Sequence, residues 1–413
     1  SSDVCSSDLT SNSISLSGNL TVSGSFSTSN NVTFSGSNAN HLDLSGIFSA
    51  TSGTVTFGSD SCYYSGSSSV NNVTVSSNKV LLLLSNSSLS VGNLFTASGT
   101  LDASTNVNTV LFTGSTQTIP GVNYYNLSLS GSGTKTATFD IGVLNNLTIG
   151  SSTTFNDGGK SITISGNVFN SGTYSGSTNG TALFDGNTML SGAGTYNFNS
   201  VSISGSLNAG SLSLGVAKNW TNNGTFSSTG TVSINGSGTQ TISSSNFSSI
   251  VVSGTSTKTF SGSYTLLGNI TVNAGPTFTS SGSTFIFNGT SLQTISGGSY
   301  ENIEVDNLND VSLLSNITVN GSLDFTSGDL LTNSFTLTLG NIASLNELPN
   351  NTLIGKVTTT RIIPAGNSFN TIGNIGIEIK DPTVTLGSTV VTRNTGSSLN
   401  GGGSFSEIGR AHV

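Results

Sequence analysis

The feature that most constrains this chain is a short phrase that keeps returning, an asparagine followed by alternating branched apolar and small polar residues. Copies include Asn19-Leu20-Thr21-Val22, Asn72-Val73-Thr74-Val75, Asn126-Leu127-Ser128-Leu129, Asn146-Leu147-Thr148-Ile149, Asn269-Ile270-Thr271-Val272, Asn302-Ile303-Glu304-Val305 and Asn316-Ile317-Thr318-Val319. A period of two with β-branched residues describes a strand covered on one face, with Leu, Ile or Val inward and Thr or Ser outward. Glycine, serine and asparagine fill the intervals as turns. No apolar stripe of period 3.6 runs anywhere, and Ser, Thr, Asn and Gly occupy too many positions for helices.

A longer unit lies above the phrase. Phe112-Thr113-Gly114-Ser115-Thr116-Gln117-Thr118-Ile119 returns as Ile234-Asn235-Gly236-Ser237-Gly238-Thr239-Gln240-Thr241-Ile242 and as Phe287-Asn288-Gly289-Thr290-Ser291-Leu292-Gln293-Thr294-Ile295. Each copy leads to an aromatic and then a strand phrase: Tyr125 before Leu127, Phe247 before Ile250, Tyr300 before Ile303. Weaker copies start near Phe57 and Phe184. Spacings of about 50 residues signal stacked arrays.

The expected fold is therefore all-β, a parallel β-helix or β-solenoid of stacked short strands. Coils of about 20–25 residues stacking at about 4.8 Å would make roughly 14 turns between Ser11 and Gly340. Like residues then lie over like, and turn asparagines can bond their amides along the stack. A series of β-sandwich modules is the competing architecture, but such modules need about 100 residues each and no linker separates these copies. The solenoid is expected over residues 10–340. From Asn341 the texture changes: Pro349, Pro364 and Pro382 cluster, and Ile354 to Arg361 and Gly387 to Arg393 lack the leading asparagine. Residues 341–406 read as a distinct C-terminal β element, a cap or the start of a sandwich domain.

The two ends call for separate treatment. Asp3 to Leu9 and Glu407 to Val413 can be encoded by DNA strings that are nearly reverse complements, and both resemble a translated sequencing adapter. Residues 1–9 and 407–413 are thus expected to be adapter-derived, leaving a metagenomic fragment. Setting them aside leaves Cys62 and His41 as the only cysteine and histidine, so there is no disulfide framework and no Cys/His zinc spacing. An N-terminal coil at Ser13 to Val22 would then stand uncapped, with Ile14, Leu16, Leu20 and Val22 inward and one strand edge open.

Charged residues make up 7% of the chain, against roughly 25% in ordinary soluble proteins. The formal net charge of −8 offers no basic stripe for nucleic acid. The longest apolar run, Val80 to Leu84, has the length of a strand and cannot span a membrane.

The Gln-Thr-Ile phrases, the Asn-Leu-Thr-Ile strands and the Gly355 to Arg361 and Gly387 to Arg393 blocks together resemble the long repeat-rich surface proteins of gliding Gram-negative bacteria, the type IX secretion kind. The resemblance covers most of the chain. It implies an extracellular or cell-surface location and a structural or adhesive role, with extracellular glycans or other surface proteins as partners. It implies no reaction.

Candidate chemistry is sparse. The acids concentrate at Glu301, Glu304, Asp306, Asp310, Asp324 and Asp329, and the first four form a candidate calcium site, since calcium takes six to eight oxygens. The alternative is a solvated edge that discourages aggregation. A polysaccharide-degrading β-helix enzyme would need two carboxyls about 5–9.5 Å apart, here with Arg361 or a lysine beside Glu301, Glu304 and Asp324. His41 has no nucleophile motif near it. Lys135 and Lys258, in matched Thr-Lys-Thr settings, read as outward gatekeepers. Among Tyr63, Tyr64, Tyr124, Tyr125, Trp220 and Tyr300, recurrence favours packing. Trp220 is the residue expected to be exposed and to contact glycans.

Overall fold

A computed structural model describes residues 13–366, 368–380 and 383–396. The architecture is all-β, with parallel strands stacked into a β-solenoid of about 17 turns and an antiparallel C-terminal element. The chain divides into two compact units, Ser1–Leu214 with Asn223–Thr225 and Gly215–Asn222 with Phe226–Val413. The adapter-like ends lie outside the described residues.

In the first unit the strand phrases lie directly over one another. Ile14, Val32, Val55, Val73 and Phe95 form one inward column, each in register with the next, and all are buried. Alternation puts Ser15, Thr33, Thr56, Thr74 and Thr96 in the outward column of the same strands. Leu20, Leu42, Tyr64 and Leu83 form a second inward column. Where aromatics stack over aromatics the rings lie nearly parallel, Phe26 on Phe48 at 5.4 Å and Phe34 on Phe57 at 5.5 Å. The second unit repeats the scheme with Phe285, Ile303, Leu323 and Leu345.

Coils are tighter than the sequence spacing suggested, which is one reason for about 17 turns in place of roughly 14. Successive partners are 17 residues apart at Val110 and Leu127, against 23 at Val32 and Val55. Parallel stacking also continues past Gly340. Ser344–Asn346 lies on Ser322–Ser327, and Leu353–Ile363 lies on Leu330–Leu339.

The leading asparagine of many phrases has a specific task. Its side-chain carbonyl accepts a backbone amide from the next coil: Asn19 from His41 at 2.9 Å, Asn31 from Thr54 at 2.8 Å, Asn269 from Thr294 at 2.8 Å, Asn302 from Ser322 at 2.9 Å and Asn316 from Thr336 at 2.8 Å. The amide-to-amide ladder expected from stacking is confined to places such as Asn93 on Asn72 and Asn145 on Asn126. A corner amide turned away from its strand ladder needs an acceptor, and the asparagine supplies one. Turns also use left-handed backbone, as at Asn78 and Asn86. At Gly66, φ is +84° and a Cβ would lie 1.9 Å from the Leu44 carbonyl oxygen, so only glycine fits.

The ends differ. Among the described strands Ser13–Leu16 is paired in parallel with Asn31–Phe34. Ile14, Leu20 and Val22 are buried, whereas Leu16 is half-buried. At the other end Leu353–Ile363 turns its free edge to Leu386–Asn394, which pairs antiparallel along its length. Arg393 clasps Glu347 with two bonds of 2.6 Å. Pro349 lies in a turn and Pro364 directly follows a strand, as a residue without an amide donor should. Pro382 lies outside the described residues.

Candidate functional site

The three glutamines of the Gln-Thr-Ile phrase are bonded on both their donor and acceptor atoms. Each is buried and bonds its own turn and the preceding coil. Gln117 accepts the Gly114 amide and donates to the carbonyls of Val91 and Asn93. Gln240 accepts from Gly236 and donates to Val216 and Lys218, and Gln293 accepts from Gly289 and donates to Leu266 and Gly268. The sequence displayed this phrase as a repeat marker but gave the glutamine no role.

Lys135 and Lys258 stand one coil beyond Gln117 and Gln240, in register with them. They are not outward gatekeepers. Both are fully buried, and each ammonium is held by turn carbonyls. Lys135 Nζ donates to Gly114 at 2.5 Å and to Ser115 and Ser132 at 2.8 Å. Lys258 Nζ donates to Gly236 at 2.7 Å and Gly238 at 2.8 Å. Burial lowers the pKa of both. The Thr-Lys-Thr alternation does not reveal this inward placement, because a lysine on the covered face needs carbonyl partners that only the folded turn provides.

The acids do not assemble into one pocket. Glu304 and Asp306 leave Asn302–Asp306 on the side opposite the buried Ile303 and Val305, as the alternation requires. Glu304 accepts from the Thr326 hydroxyl at 2.8 Å. Asp306 accepts from Ser327 and Asn288, and Asp324 from Ser322 and Asn346. Asp310 and Asp329 each cap a backbone amide, of Asp329 and Thr352 respectively. Glu301 donates its own amide to Ser280. Among the described residues no three His, Cys, Asp or Glu side chains gather as metal ligands. Glu304 and Asp324 are side by side in register, but Arg361 is engaged with the Gly340 and Ala343 carbonyls. The carboxylate pair therefore has no Arg361 beside it.

Trp220 is not exposed. Its ring is 1% accessible, packed edge-on against Phe226 at 4.7 Å and near Phe247 at 5.4 Å. Its indole nitrogen donates to Ser245 at 2.8 Å. With both faces covered it cannot stack on a sugar. Tyr64, Tyr124 and Tyr300 are buried as well, while Tyr63 and Tyr125 are half-buried. The inward aromatic of the long repeat is Tyr124, not Tyr125: Tyr124, Phe247 and Tyr300 each precede the inward residue of the next phrase by three. His41 lies outward with its ring stacked on Tyr63 at 4.7 Å, and Cys62 is a buried free thiol whose pKa burial raises.

No protein-family model, curated protein or solved structure matches the chain. The parallel solenoid defines its class by fold alone.

Proposed function

We propose that this chain is a structural and adhesive, non-enzymatic segment of a large secreted or cell-surface protein. The observation that carries this reading is how the polar side chains are used. The glutamines, the buried lysines and the phrase asparagines all bond one coil to the next, and the densest acids are bonded within the same stacking pattern. A chain that commits its polar groups to joining coils is suited to bearing tension and holding a surface. Its outward Ser, Thr and Asn columns leave a weakly charged exterior suited to water and extracellular partners, in keeping with the surface-protein resemblance.

Single-molecule stretching tests the reading. A structural solenoid should yield coil by coil, each step releasing roughly 70–80 Å of chain for twenty-odd residues. In parallel, pectin, xylan and cellulose are incubated with the protein. Turnover of any of them that is lost in Asp324→Asn would replace the structural reading with an enzymatic one.

A further inference from the structure

The stacking is interrupted at one place in the first unit. Phe95–Ala97 pairs with the coil before it, Val73 to Phe95, and with no later strand; Gln117–Ile119, one coil on, pairs forward with Gly133–Ala137 and with no earlier strand. Gln117 still fastens the two coils at Asn93, and beyond that point they part. The opening is a cleft of about 480 Å³, within the range of about 300–1,000 Å³ usual for small-ligand sites.

Its walls combine two chemistries. Phe139 is 68% exposed and Leu94 49% exposed, so an aromatic ring and an aliphatic side chain face the opening. Phe139 is held over Gly121, where an added Cβ would lie 2.3 Å from the phenylalanine Cβ. Thr96, Thr118 and Thr138 also line the cleft. The first two hydroxyls have no partner among the described residues, and that of Thr138 donates to the Ile119 carbonyl, keeping its acceptor capacity. Two strand edges without neighbours add backbone donors and acceptors. No ionisable side chain lines the cleft.

We infer that this cleft binds a neutral pyranose unit of a glycan. A sugar ring has an apolar C–H face for Phe139 and hydroxyls that both donate and accept, which matches threonines and open strand edges together. With no ionisable lining side chain, the cleft offers no cation to pair with a uronate or sulfate, so it suits a neutral sugar. An extended peptide would need a longer edge than three residues to pair with. The inference does not depend on the structural reading above, because a solenoid that bears tension needs no ligand.

The test uses the whole chain and maltohexaose, cellohexaose and mannohexaose, titrated by calorimetry and saturation-transfer NMR. At least one should bind, with Phe139→Ala weakening it about tenfold and Thr118→Val weakening it less. Phe139→Ala should leave the melting temperature unchanged, because the ring is mostly exposed. Absence of binding at millimolar sugar overturns the inference. So does sugar binding indifferent to Phe139→Ala, or binding of an uncharged extended peptide in place of every sugar.

Discussion

The same phrase closes its turn in two ways. At Gln117 and Gln240 the carbonyl two residues before the glutamine, that of Ser115 or Gly238, is capped by a lysine from the next coil. At Gln293 the residue in the lysine's register position is Val311. The corresponding Ser291 carbonyl is capped by Asn307, whose amide also reaches the Gln293 side-chain oxygen at 2.9 Å. The two solutions share geometry and differ in charge. What the fold requires is therefore a donor at that carbonyl, not a cation, and the glutamine is the constant part.

The largest effect should come from removing that constant part. Gln240→Leu leaves the Gly236 amide and the Lys218 carbonyl without their side-chain partner, while Val216 keeps the Asn235 amide, a loss of about 2–4 kcal/mol. Gln117→Leu and Gln293→Leu should cost similar amounts in urea denaturation. A copy that tolerates the change within 1 kcal/mol, on the order of one ordinary hydrogen bond, would show that the three nodes are not equivalent.

Replacing a lysine should matter less, because part of its gain is offset by burying the charge. Lys258→Met should cost about 2 kcal/mol at pH 7 through the uncapped Gly238 carbonyl and the lost second bond at Gly236, which keeps the Thr255 amide. The pH dependence has a definite sign. The folded pKa lies below the ordinary 10.5, so between the two values the unfolded chain binds more protons. The lysine's contribution to stability therefore rises as pH climbs through the folded pKa toward 10.5. The gap between wild type and Lys258→Met should widen over that window; a gap that does not change with pH would place the ammonium in water, and one that narrows would mean that the carbonyls raise its pKa.

Asn307→Ala should cost about 1–2 kcal/mol, and adding Val311→Lys should recover much of it by converting the third node into the first kind. A double variant no better than the single one would show that the backbone at Val311 cannot deliver an ammonium to Ser291.

Much of this was legible before any coordinates, and the limits are physical. The period-two phrases located Val73, Leu127, Ile303 and their columns because inward apolar residues must alternate with outward polar ones. Trp220 and the two lysines were misplaced for one shared reason: their neighbours in sequence look exposed, and the partners that make burial tolerable, Ser245 for the indole and turn carbonyls for the ammonium, come from other coils. The cleft was invisible because it arises from a pairing that does not form, and neither Phe95 nor Thr118 departs from its phrase.

The smallest expected effect tests the outward side of the same stack. Glu304 and Asp324 are in register on adjacent strands, and like charges placed directly opposite repel. Each also accepts a hydrogen bond, Glu304 from Thr326 and Asp324 from Asn346, which a glutamine carbonyl at 304 could still accept. Glu304→Gln should therefore leave stability unchanged or raise it by about 0.5 kcal/mol, with the gain shrinking as salt screens the pair. A shared calcium would reverse the sign, since the charges would then be attracted to a common partner, and calcium would raise the melting temperature of wild type through linkage. Thermal melts of both proteins in chelator and in millimolar calcium separate the cases. A calcium-dependent rise in wild type that disappears in Glu304→Gln would make this face a metal site, whereas equal curves leave it a column of outward charges that differs from the glutamine nodes in being dispensable.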